Sequence, residues 1–134
     1  ESQNGGWVGL SDIAPLGDRQ FLVVERDNQF GPDAAIKRLY KIDLSSVTPG
    51  STVTKTLHTD LMGKLQAHKG FVVEKVEGLA VMPSGATYIV NDNDGVDDNS
   101  GETLLLEVVP APQVDELGAE TGDASGCVYK FIGG

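Results

Sequence analysis

The chain states one pattern twice. The first copy runs Gly9-Leu10-Ser11-Asp12-Ile13-Ala14-Pro15, then Phe21-Leu22-Val23-Val24-Glu25-Arg26-Asp27-Asn28. The second runs Gly78-Leu79-Ala80-Val81-Met82-Pro83, then Tyr88-Ile89-Val90-Asn91-Asp92-Asn93-Asp94. Each copy has a Gly-Leu start, a proline, a glycine-containing turn, an apolar run and a burst of Asp, Asn and charge. A recurring unit sets the architecture before any single element does, because each copy must bury its apolar face against a neighbour. The repeat also puts the two acidic bursts at equivalent places on two similar units.

Within the first copy, residues 9–14 read as a short buried strand and residues 15–20 as a turn. Phe21-Leu22-Val23-Val24 is a continuous apolar run between turn signals, hence a strand buried on both faces. Residues 36–43 mix apolar and charged positions, with Ile36, Tyr40 and Ile42 on one side, as in a half-exposed strand. Thr52 to Leu57 is β-branched and alternating, which predicts a fourth strand. Lys37 and Arg38, on the third strand, are expected to face solvent.

Leu61, Met62 and Leu65 stand at helical spacing behind Asp60, a residue type suited to a helix N-terminus. A short helix or compact insertion is predicted there. The second copy then repeats the order: a strand at 78–82, a second at 87–90, a long acidic loop over 91–102, a third strand at 103–109 and a fourth at 127–132. The expected organisation is a first unit over residues 1–60, an insertion over 61–75 and a second unit over 76–134.

Successive four-stranded antiparallel units point to an all-β fold and, specifically, to a portion of a β-propeller, with a two-sheet sandwich as the alternative. Propellers close with about 4–8 blades, so two blades imply a larger ring, six-bladed or similar. The remaining blades are then the expected partner, in another chain or in another part of the same protein.

Composition narrows the function classes. The formal net charge is -10, from 20 acidic and 10 basic residues. That balance argues against nucleic acid or an anionic membrane as partner. No apolar run approaches the ~20 residues that span a bilayer. The first residue is Glu1 and not Met, which suggests processing, nicking or trimming. Cys127 is the single cysteine, so no disulfide forms within the chain. There is no Gly-x-Ser-x-Gly elbow, no P-loop and no zinc-type Cys/His set. His58 and His68 have no partner at catalytic or metal spacing.

Several segments carry a family resemblance. They are Gly9 to Pro15, Val23 to Asn28, Ala35 to Leu44, Lys75 to Val81 and Val90 to Gly95. Over about residues 7 to 109 the chain resembles the C-terminal part of the phytase-like propellers, the family of the esterase-like activity of phytase. The resemblance implies a β-propeller, a secreted or periplasmic bacterial setting and hydrolysis of phosphate esters or other esters. Glu-Gly at the head of an inner strand, with Asn or Asp ending the next, also resembles the metal-holding pattern of gluconolactonase and paraoxonase propellers.

In a propeller blade the first strand runs one way along the channel and the second runs back. Glu77 should therefore lie beside Asn91, Asp92, Asn93 and Asp94, and Val8 and Gly9 beside Glu25 to Asn28. Carboxylate and amide oxygens are the ligands calcium takes, and magnesium takes in a stricter octahedron. A cation also relieves the mutual repulsion of crowded carboxylates. The expected metal ligands are Glu77, Asp92, Asn91 and Asp27, around Ca2+ or Mg2+. Asp92 and Asp94 are the expected bases toward a water activated by that metal. Arg26 is the expected phosphate-binding residue, with pairing to Asp27 or Glu25 as the alternative. The plainer reading of the bursts is that Asp and Asn bond backbone amides in turns. The functional expectation is a metal-assisted hydrolase of phosphate esters. A calcium-stabilised binding propeller and a lactonase-like hydrolase are the alternatives.

Overall fold

The computed structural model describes residues 5–93, 102–114, 120–121 and 128–131. Two antiparallel sheets carry the fold. The first holds β1 (Val8–Gly17), β2 (Gln20–Asp27), β3 (Lys37–Asp43) and β4 (Lys55–Asp60), in that spatial order. After the short helix α1 (Met62–Ala67) come β5 (Val76–Val81), β6 (Thr87–Asn91) and β7 (Thr103–Val109), which form the second sheet in chain order. Two short strands, β8 (Gln113–Val114) and β9 (Glu120–Thr121), pair with each other, and β10 (Val128–Phe131) adds its backbone beside β7. The fold is thus mostly β, in two sheets with the same strand order. Among the described residues no helix is long and apolar enough to cross a membrane.

The hairpins follow from local chemistry. β1 runs on past Pro15 to Gly17, three residues beyond the predicted strand, and turns at Asp18 and Arg19. Both turn residues have positive φ (49° and 61°). That matches the right-handed twist of two-residue hairpins. The β5–β6 turn uses Gly85 at φ 89°, whose amide donates to the Met82 carbonyl at 2.8 Å. Asp60 accepts the Met62 amide through Oδ1 at 3.0 Å, so it serves the head of α1 from just outside the helix.

The Gly-Leu starts have a steric cause. A Cβ on Gly9 would meet the Trp7 ring at 2.7 Å, and one on Gly78 would collide with Val90. Each glycine thus lets a side chain lie against its own strand.

The core fills the space between the two sheets. Leu22, Val24 and Leu39 of the first sheet meet Val76, Ile89, Leu104, Leu106 and Val108 of the second, with Leu61, Leu65, Val72 and Val73 from the linking segment. The inner strands are also joined by hydrogen bonds. Asp12 Oδ2 accepts the Leu79 amide at 2.7 Å, and the Ser11 hydroxyl donates to the Val76 carbonyl at 2.7 Å. The register of β1 against β2 shifts between Leu10 and Asp12, so a bulge aims these two polar side chains at β5.

Three expectations change here. β1 reads as a buried strand, but only Ala14 in it is buried. The opposite face of the first sheet has no sheet against it among the described residues, which leaves Leu10 at 69% and Ile13 at 53% exposure. On β3 the core side is taken by Lys37 and Leu39, while Tyr40 and Ile42 lie on the other face. Lys37, expected in solvent, is 0% exposed, because four oxygens replace its water.

Candidate functional site

The start of β1, the end of β2, the start of β5 and the end of β6 meet at one edge. Val8 pairs with Asp27 and Gly9 with Arg26, while Val76 pairs with Asn91. The two acidic bursts therefore leave equivalent strand ends. Arg26 ties the first burst to the head of β5, donating from Nη2 to Glu77 Oε1 at 2.5 Å and from Nη1 to Glu74 Oε1 at 3.3 Å. Its guanidinium also lies 5.2 Å from the centre of the Trp7 ring. The indole is held in place by the Trp7 amide, which donates to Asn28 Oδ1 at 2.8 Å. Arg26 is buried by these neighbours.

Asp27 and Asn91 do the same work on their two loops. Asp27 Oδ2 accepts the Ala35 and Ile36 amides at 2.8 and 2.9 Å, closing the loop that leads to β3. Asn91 Oδ1 accepts the Leu104 amide at 2.6 Å, and its Nδ2 donates to the Glu102 carbonyl at 3.1 Å, closing the acidic loop that leads to β7. Both side chains are buried. A short side chain bonding the backbone across a loop is the ordinary use of Asp and Asn.

Asp27 has a second partner that Asn91 lacks. Lys37 Nζ donates to Asp27 Oδ1 at 2.9 Å and to the carbonyls of Asp27, Gln29 and Glu74, each at 2.8 Å. Burial by itself would raise the Asp27 carboxyl, but the Lys37 ammonium and the Ala35 and Ile36 amides outweigh it and hold the group below the ordinary carboxylate value. Burial pulls Lys37 below the ordinary lysine value, against the support of Asp27. This is the arrangement a buried ion pair requires: each charge is paired and its remaining hydrogen-bonding groups are met.

The other expected site residues stand differently. Glu77 and Asp92 are the partly exposed carboxylates of this edge, with side chains 38% and 47% accessible. Asp92 lies 4.0 Å from Lys75 Nζ, and its amide donates to the Lys75 carbonyl at 2.8 Å. Asp94 lies outside the described residues, as does Cys127. Arg26 pairs with Glu74 and Glu77, neither of which is the Asp27 or Glu25 partner that its neighbours in sequence suggested. Glu25 pairs instead with Lys55, whose ammonium sits 4.2 Å from the centre of the Tyr40 ring. Sequence reading also missed Glu74 and Trp7, since neither belongs to the repeated pattern.

The donor set can be tested against a calcium or magnesium ion. Asp27 offers its oxygens to an ammonium and two amides, and Asn91 turns its carbonyl oxygen to the Leu104 amide. Asp27 is thus taken up by an ion pair and Asn91 by the closure of its loop. Glu77 and Asp92 remain, and among the described residues no three His, Cys, Asp or Glu side chains gather as a metal site would need. The described residues do not fit a complete metal site.

One family model matches residues 1–95, and its description is phytase-like, esterase-like activity of phytase. No curated protein and no solved structure matches the chain. The match covers well over half of the sequence and includes every strand end that forms the edge described above. The chain belongs to the phytase-like family, the family of the esterase-like activity of phytase.

Proposed function

We propose that the chain is part of a hydrolase acting on phosphate esters, and that its two sheets are neighbouring blades of a larger β-propeller. The observation that carries the reading is the meeting of four strand ends at one edge, in a chain whose family is described by an esterase-like activity. In a propeller that edge borders one end of the channel, where ligands have access. Asp92 is the exposed carboxylate there, and its role is to accept a proton from the attacking water. Asp94 is assigned the same role as a neighbour in sequence. Arg26, with two of its nitrogens bonded to carboxylates, serves to hold Glu77 in place. Any Ca2+ or Mg2+ that takes part in catalysis must draw on Glu77, Asp92 and groups beyond the described residues. Secretion or a periplasmic location accords with the acidic composition and belongs to the same reading.

The exposed face of the first sheet supports the missing blades. Leu10, Val23, Tyr40, Ile42 and Val53 line a cavity of about 250 Å³ there, closed at one side by the Glu25–Lys55 pair. The opposite face of the same sheet is covered by a sheet of the same strand order. A further blade would cover this one in the same manner.

A second reading, a non-catalytic propeller that binds a ligand or protein, is favoured by one observation. Arg26 and Asp27, two of the three charged residues of the first burst, are committed to buried ion pairs. Turnover separates the two readings. The protein is assayed with p-nitrophenyl phosphate, phytate and a lactone, with calcium and then with chelator. The hydrolase reading expects phosphate release, reduced by about 10²-fold or more in Asp92→Asn at unchanged melting temperature. No turnover of any substrate by a folded protein supports the binding module, and turnover of the lactone alone supports a lactonase.

A further inference from the structure

Lys37 Nζ has four oxygens around it at 2.8–2.9 Å: three backbone carbonyls and one carboxylate. An ammonium has three protons, so one of them is shared between two acceptors. Carbonyl and carboxylate oxygens of this kind are also the donors that hard cations take, although those cations take six or more of them. The oxygens come from separate segments. Asp27 ends β2, Gln29 lies in the loop after it, and Glu74 lies ahead of β5 in the segment that joins the sheets. The same ammonium thus ties the first sheet to the approach of the second. At the equivalent place in the second copy, Asn91 closes its loop with an uncharged amide. The carboxylate therefore appears in the copy whose third strand begins with a lysine.

We propose that Lys37 is the resident cation of this fold: its ammonium fills an oxygen cage that would otherwise take a free cation, and it holds the strand-end loops of the first copy to the second sheet without a metal ion. The positive charge expected from calcium at Asp27 is built into the chain. Arg26 plays the companion part for Glu74 and Glu77. The proposal is independent of the hydrolase reading, since it concerns how the edge is held and not what it turns over.

The test is chemical rescue in the full chain. Lys37→Ala removes three methylenes and the ammonium, which together correspond to n-propylammonium. The melting temperature should fall by on the order of 10 °C, as expected for a buried ion pair that has lost one partner. Added n-propylammonium should restore most of that loss in Lys37→Ala and leave the unmutated protein unchanged. Tetramethylammonium at equal ionic strength has no N–H to donate and should restore nothing. In the unmutated protein, Trp7 emission reports locally on Asn28 and Arg26, Trp7 being the single tryptophan of the sequence. In Glu77→Gln/Asp92→Asn, which removes the two carboxylates left open to a catalytic metal, neither that emission nor the melt should respond to chelator or to added calcium. A chelator-induced shift in Trp7 emission of that double variant overturns the proposal, and so does equal rescue by the two ammonium ions. If Lys37→Ala does not fold, the chelator measurement still decides, and Lys37→Met melting at the unmutated temperature would overturn the proposal as well.

Discussion

Asp27 and Asn91 occupy equivalent strand ends in the two sheets and close their loops in the same way. Each is paired across its hairpin with the first residue of the preceding strand, and each binds the backbone at the start of the next. They differ by one group, an oxygen facing Lys37 in Asp27 and an amide facing the Glu102 carbonyl in Asn91. That difference makes the two residues non-interchangeable despite their near-identical shape.

Exchange of each residue for the other should therefore destabilise the protein. Asn91→Asp replaces a donor with an acceptor opposite the Glu102 carbonyl, at a cost of about 1–3 kcal/mol for a buried polar group without its partner. Asp27→Asn leaves the buried Lys37 ammonium without its carboxylate, at a cost of about 3–5 kcal/mol. Urea denaturation of the two variants measures both. An Asp27→Asn protein as stable as the unmutated one would show that the pair contributes nothing.

Acid should find the same residue. The folded-state value of Asp27 lies below its ordinary value of 3.8. The folded state thus binds its proton less readily than the unfolded chain does. The stabilisation is fully present above about pH 5, where both states are ionised, and it is lost as pH falls through the folded value. Asp43 is also held low, chiefly by the Ser45 hydroxyl, but at the exposed end of β3. Denaturation midpoints between about pH 5 and pH 2 should fall steeply in the unmutated protein and in Asp43→Asn. They should fall less steeply in Asp27→Asn, and parallel slopes for all three would contradict the assignment.

Arg26 and Glu77 allow a graded comparison. Arg26 is buried between Trp7 and two carboxylates, whereas the Glu77 side chain is 38% accessible. Arg26→Ala should cost about 2–4 kcal/mol, since it removes packing under the indole and takes the guanidinium away from Glu74. Glu77→Gln should cost less than about 1 kcal/mol, because water compensates an accessible carboxylate. A double-mutant cycle reads their coupling, and a larger loss for Glu77→Gln than for Arg26→Ala would reverse this ranking.

Much of the fold was legible because the repeated pattern records a repeated packing requirement. Thr103 to Val109 is a strand at the predicted bounds, and the second and sixth strands begin within a residue of expectation. Strand ends were less legible. β1 passes Pro15 because β1 is the edge strand of its sheet, where a residue without an N–H is tolerated. The shared edge was also legible, since antiparallel order alone brings the start of one strand to the end of the next. What the acidic bursts do at that edge was not. Lys37 reads as a surface residue in a mixed strand, and Glu74 precedes the repeat altogether.

The repeat, the antiparallel order within each copy, the family and the place where the acidic residues collect can be read from the residues alone. These follow from local periodicity and turn chemistry, which act over a few residues. What those residues face is set by the packing of segments far apart in the chain. Lys37 meets Glu74 across 37 positions of chain, and Arg26 meets Glu77 across 51. Whether a carboxylate faces water, an ammonium or an amide depends on such distant partners, and burial then converts the encounter into a fixed ion pair.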